Sequence, residues 1–250
     1  MKQIGIRQAA IAFWNILRKD IKTYYFKPPN ISWGLIFPFA WTLMFYLKSQ
    51  RALDIRSLLP GVVAMSVLFG TTSMLGVTIT FESRSRSFER LLLAPVDYKL
   101  LMLAKTSGAI IFGLVNAFVP IVFALFLIDL GGIAWVPLLA SVLLISITST
   151  FLGLFIAVTV REVFEAMTFS NFFRFPMVFL CGLFIPLASL PVYIRPLSFC
   201  LPLTYGVDIL RYAVEGQGFL PIALDYLALV GFALLLFSLS LVNVRRKWVL

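Results

Sequence analysis

The feature that most constrains this chain is a repeated one: long runs without a charged residue, separated by short charged clusters. Leu58 to Thr80, Thr106 to Ile128 and Ile133 to Val160 contain no Asp, Glu, Lys or Arg. Each is long enough to cross a hydrocarbon layer about 30 Å thick, which takes about 20 apolar residues as a helix. Backbone in lipid must satisfy its own hydrogen bonds, so runs of this kind predict helices.

Composition agrees. The 250 residues are 61% hydrophobic and 13% charged, where a soluble domain carries about 25% charged residues. The net charge of +10 sits in clusters between apolar runs, so it reads as membrane topology and not as a nucleic-acid surface. The absence of histidine removes His-based metal sites, general bases and triads. Cys181 and Cys200 form neither a CxxC pair nor a disulfide framework. No catalytic residue and no metal ligand set stands out. The N-terminus lacks a basic, apolar and cleavable pattern, so the first span is expected to direct insertion.

The prediction is an all-α polytopic membrane protein. Residues 1–29 form an amphipathic helix, with Ile4, Ile11, Trp14, Leu17, Ile21 and Tyr24 on one face and Gln8, Asn15, Lys19 and Lys22 away from it. Such a helix suits the headgroup layer, or the surface of another protein. Residues 30–250 carry six spans, at approximately 31–47, 58–80, 106–128, 133–160, 166–188 and 221–244. Pro186, Pro191, Pro196 and Pro202 break up the segment before the last span, yet it stays rich in Leu, Phe and Tyr. It reads as short helices dipping part-way into the membrane, the last starting near Pro202 or Thr204 and ending near Gly216.

Six spans place both termini on one side. Of the 21 Lys and Arg, only Lys48, Arg51, Arg56, Arg195 and Arg211 fall on the other side. The positive-inside rule therefore predicts cytoplasmic termini. The central charged stretch, Ser83 to Lys105, faces the cytoplasm with them. Within it Ser87 can cap a short helix, Phe88, Leu91 and Leu92 share a face, and Pro95 ends it. By pattern alone this is either an interfacial connector or a docking element for a soluble partner.

The run Phe81-Glu82, then Phe88 to Val96, then Leu100 to Lys105 resembles the cytoplasmic coupling helix of type-2 ABC transporter permeases. These are the membrane subunits of daunorubicin-resistance-like, polysaccharide and lipid exporters. Phe199 to Arg211, reading FCLPLTYGVDILR, resembles that family's re-entrant segment. One departure is visible: members often have Gly-Thr where this chain has Arg86-Ser87. The resemblance implies a permease subunit without an ATPase, and no GxxxxGK[ST] phosphate loop occurs in the sequence. It implies a separate ABC ATP-binding subunit that holds ATP and Mg, with no cofactor on this chain. It also implies a second permease copy or a related permease, a lipid environment in the cell membrane, and export of a drug, lipid or glycan-like substrate. Ser87, Phe88, Glu89, Arg90, Leu91, Leu92 and Pro95 would couple to the ATPase.

Four further residues are candidates for a substrate path or gate. Arg174 lies ~13 Å along the fifth span with Asn171 on the same face, where a charge is costly. It either meets an anionic headgroup or substrate, or snorkels and pairs with Glu162 or Glu165. Asp208 and Arg211, with Glu215, form either an exit-gate cluster or a solvated face. An ion-coupled carrier or channel is the competing function, but it would want buried acids mid-span, and none is evident. An intramembrane enzyme finds no acid pair or HExxH to work with.

Overall fold

The computed structural model describes residues 6–25, 34, 36–48, 55–93, 96–127 and 129–249, and regular structure among them is helical. Helix α1 (Ile6–Asp20) continues as a π turn, Ile21–Tyr25. Then come α2 (Phe37–Lys48), α3 (Ile55–Arg84), α4 (Ser87–Leu92), α5 (Tyr98–Leu127), α6 (Trp135–Thr159) and α7 (Val163–Leu180). After a 3-10 turn at Leu187–Ser189 follow α8 (Arg195–Phe199), α9 (Pro202–Glu215) and α10 (Ile222–Val244), which ends in a π turn, Arg245–Val249. Four of these helices, α3, α5, α6 and α10, are long and apolar enough to cross a membrane. Residues 26–33 and 35 lie outside the described residues, so only the later part of the first expected span is seen, with Pro38 in the first turn of α2.

The bundle is built around α3. Its most apolar window is 94% buried, against 22% for α10. Val63, Met65, Leu68 and Phe69 of α3 share one core with Ile145 and Leu152 of α6. Small residues permit the approach: a Cβ on Gly70 would run into Asn116 of α5. The hydroxyls of Thr71, Thr106 and Thr148 donate to the carbonyls of Val67, Met102 and Leu144 at 2.8–2.9 Å. Bonding within the helix in this way lets polar side chains sit in an apolar core. On the outside, Phe118, Phe126, Leu227 and Leu234 are exposed, as a lipid-facing surface requires.

The helices differ from the expected spans chiefly at charged residues. α3 runs on through Glu82 to Arg84, and α5 starts at Tyr98, well before Thr106. Glu82 and Lys105 are therefore helical and fully buried. A window that stops at the first charge underestimates such helices, because paired charges can be buried at their ends. α7 stops at Leu180 and does not reach residue 188: Gly182 takes φ 78, and Pro186 follows. Gly216, at φ 75, closes α9 as a left-handed cap.

The bundle has two distinct ends. At one lie α1, α4, the end of α6 and the C-terminal turn, where Lys247 Nζ donates to Val160 O at 2.8 Å. At the other, Arg56 Nε donates to Val214 O at 3.2 Å and its Nη2 to Gly131 O at 3.0 Å. These bonds tie the start of α3 to the end of α9 and to the turn before α6.

Candidate functional site

The short helix α4 hangs between α3 and α5. The turn that enters it passes through Arg86, which at φ 55 is the single non-glycine residue in the left-handed region among the described residues. This is the position where the resembled family often carries glycine, and glycine adopts that conformation without Cβ strain. Ser87 is not the cap. It is the first residue of α4, and its hydroxyl donates to Glu82 O at 3.2 Å and shares a bond with Ser85 Oγ at 2.9 Å.

Phe88 was expected on an outward docking face, but it is fully buried. It packs in a cluster with Leu75, Ile79, Leu101, Met102 and Ile16, with Leu91 partly buried against them. The reason is the helix period: Phe88 and Leu91 share the face that meets α3 and α5. Glu89, Arg90 and Leu93 point the other way, and Leu93 is 85% exposed. The side chain of Leu92 and all of Pro95 lie outside the described residues.

Beside α4 sits a charge cluster that the sequence pattern did not single out. Lys19 Nζ reaches Glu82 Oε1 at 2.6 Å and Asp20 Oδ1 at 3.7 Å. Lys105 Nζ reaches Asp20 Oδ2 at 3.1 Å and also pairs with Glu82 Oε2. Asp20, Glu82 and Lys105 are each at most 2% exposed. Two cations and two carboxylates make a neutral quartet that ties α1 to α3 and α5. Burial pushes the Asp20 carboxyl above its usual range, against the pull of Lys105. Burial also disfavours the Lys19 charge, but the bond and charge of Glu82 outweigh it and hold Lys19 above its usual range. Lys19 was expected on the open face of α1, while Ile11 and Trp14, expected on the apolar stripe, are more than half exposed. Helical phase carries the missing signal: Asp20 follows Ile16 and Leu17, and Lys105 follows Leu101 and Met102, at steps of four and three. Both charges thus sit on buried stripes.

Deeper in the bundle, Arg174 of α7 is buried. Its Nε donates to Thr72 Oγ1 of α3 at 2.6 Å, its Nη1 to Asn171 Oδ1 at 3.4 Å, and its guanidinium lies 5.0 Å from the Phe69 ring centre. It does not pair with Glu162 or Glu165. Those two form a capping box at the start of α7, and the Arg161 and Glu162 amides hold the Glu165 carboxyl below its usual range.

At the other end, Asp208 and Arg211 are used separately. Asp208 accepts from the Phe219 amide at 2.7 Å and the Leu220 amide at 2.7 Å, closing the turn between α9 and α10. Arg211 Nη2 donates to Gly182 O at 2.6 Å, holding the turn after α7. Both line an open cavity of ≈ 200 Å³ with Glu215 and Phe219. Asn171 and Arg174 bond to neither, so the four candidate path residues divide into two pairs.

Residues 11–214 match the model of the ABC-2 type transporter family. The chain is 24% identical over 175 residues to the inner membrane transport permease YadH of Escherichia coli, covering 70% of this chain and 68% of that protein. It is 29% identical over 210 residues to nodulation protein J of Bradyrhizobium diazoefficiens, covering 77% of this chain and 74% of that protein.

Proposed function

We infer the function from one premise: the chain belongs to the ABC-2 type transporter family. It is a multi-pass membrane permease subunit of an ABC transporter, and the ATPase of such a transporter is a different subunit. Our finer reading is an exporter half with six spans, in which α2 and α7 cross the membrane alongside the four longer helices. Residues 1–29 form an interfacial element and residues 30–250 the spanning domain. The uneven distribution of Lys and Arg supports cytoplasmic termini. In this reading two permease copies, or this chain and a related one, sit in the lipid bilayer above two ATP-binding subunits that carry ATP and Mg.

The observation that carries the reading is the mounting of α4. Phe88 roots the helix in the core, and the quartet braces the helices on either side. A lever rooted in this way passes a push on its outer face into α3 and α5 as a rigid-body movement. Glu89, Arg90 and Leu93 would then meet the ATPase, while Phe88, Leu91 and Ser87 transmit force. Co-purification of the permease with its ATP-binding subunit tests this. E89R/R90E should abolish the association and leave permease folding unchanged. Unaltered association in that variant would sink the proposed docking face.

A further inference from the structure

Helix α1 carries apolar residues on two sides, and the bundle covers only one of them. Ile16 and Asp20 are buried, and the bond from Lys105 to Asp20 fixes the rotation of α1 against α5. On the opposite side, Arg7, Ile11, Trp14 and Arg18 follow one another at steps of four, three and four, which puts them on a single stripe. All four are exposed, Trp14 at 62% and Ile11 at 52%. Lys22, four residues beyond Arg18 in the π turn, is exposed as well.

The charge on this stripe has one sign. Arg7, Arg18 and Lys22 enter no ion pair among the described residues, whereas Lys19 turns to Glu82. The acid within α1 is Asp20, buried on the far side. A helix face built for water pairs charges of both signs at three- and four-residue steps. Here two bulky apolar side chains stand between cations. That alternation suits the headgroup layer, where a tryptophan ring rests at the boundary and the long stems of Arg and Lys reach the phosphates.

The packing of α1 sets its depth. Ile21 and Tyr24 pack on Met74 and Phe112, which lie about two helical turns deeper than Glu82 and Lys105 along α3 and α5. The exposed side of α5 is apolar from Leu103 onward, through Ile111, Val115 and Phe118, so the lipid-facing surface begins at the level of the quartet. α1 packs along α5, and its outer stripe stands at the boundary between headgroups and acyl chains. An acidic protein surface would match the charge of the stripe but not its depth.

We propose that the stripe from Arg7 to Lys22 seats α1 on an anionic lipid leaflet: Ile11 and Trp14 enter the headgroup–acyl boundary, and Arg7, Arg18 and Lys22 hold the phosphates of anionic lipids. This deepens the interfacial reading of residues 1–29 and rests on it. What it adds is selection by lipid charge.

The test uses the purified permease in nanodiscs of phosphatidylcholine and phosphatidylglycerol in equal parts, with brominated acyl chains on one lipid or the other. Bromine quenches tryptophan at contact, and subtraction of W14F isolates Trp14 from the other tryptophans. Brominated phosphatidylglycerol should quench Trp14 more strongly than brominated phosphatidylcholine, and high salt should erase the difference. Each cation near an anionic surface enriches the anion locally by about fivefold. R7Q/R18Q/K22Q should therefore bring the two lipids to equal quenching, and R7K/R18K should keep the preference. Equal quenching by both lipids in the wild type would overturn the proposal and leave the interfacial reading standing. Quenching by neither lipid, with acrylamide quenching Trp14 instead, would overturn both and give this face to water or a protein partner. An unchanged preference in R7Q/R18Q/K22Q would overturn the proposal too. The wild-type comparison decides by itself if that variant does not reconstitute.

Discussion

Two buried charge sites among the described residues, the quartet at α1, α3 and α5 and Arg174 in α7, solve the same problem in opposite ways. In the quartet each buried cation meets carboxylates, and the sum of charge is zero. At Arg174 the partners are a threonine, an asparagine and a phenylalanine ring. Continuum reasoning says that breaking a buried pair is far more harmful than removing a charge that has no pair. The quartet is therefore a fastening, and Arg174 is a cost carried by the fold. A chain retains such a cost where function needs the group.

The largest effect should come from breaking the quartet. E82Q leaves Lys105 with Asp20 alone and should lower stability by about 3–5 kcal/mol, read as the unfolding midpoint in nanodiscs. E82Q/K105Q should recover part of that loss, since contacting residues couple by roughly 0.5–3 kcal/mol. D20N should cost less than E82Q, because burial already favours the neutral acid at Asp20. Its raised value means the contribution of protonated Asp20 is present at low pH and fades as pH rises through the folded value.

Next comes Asp208, which closes a turn and takes no part in either charge site. D208N should cost about 1–3 kcal/mol, with faster hydrogen exchange at the Phe219 and Leu220 amides. The loss should add to that of E82Q if the two ends are independent. R86G should then stabilise by roughly 1 kcal/mol, by relieving a left-handed residue at the turn out of α3. The smallest effect is at Glu165, whose carboxylate is exposed. Its depressed value means its contribution is present above the ordinary 4.5 and is lost as pH falls through the folded value. E165Q should flatten the acid limb of the stability profile and change little at neutral pH.

Much of this was legible beforehand. The uncharged runs mark the long helices, and Pro202 and Gly216 mark the limits of α9. The residues around α4 pointed to the right family. The inward turn of Phe88 was not legible, because a six-residue helix can present either face until its neighbours are known. Nor was the quartet, since Asp20, Glu82 and Lys105 are far apart in sequence and only the packing of α1 across two helix ends brings them together. Asn171 and Arg174 are adjacent in helical phase and could be paired by eye. That Thr72 completes their site depends on α3 lying against α7.

The most direct measurement replaces each buried cation by the same apolar side chain and compares unfolding midpoints of K105M and R174M under one set of conditions. K105M should fall by roughly 3–5 kcal/mol, because the buried carboxylates of Glu82 and Asp20 are left to share the single charge of Lys19. R174M should unfold at or above the wild-type midpoint, because no carboxylate depends on it. Equal losses in the two variants would contradict the account, making Arg174 a structural fastening like Lys105.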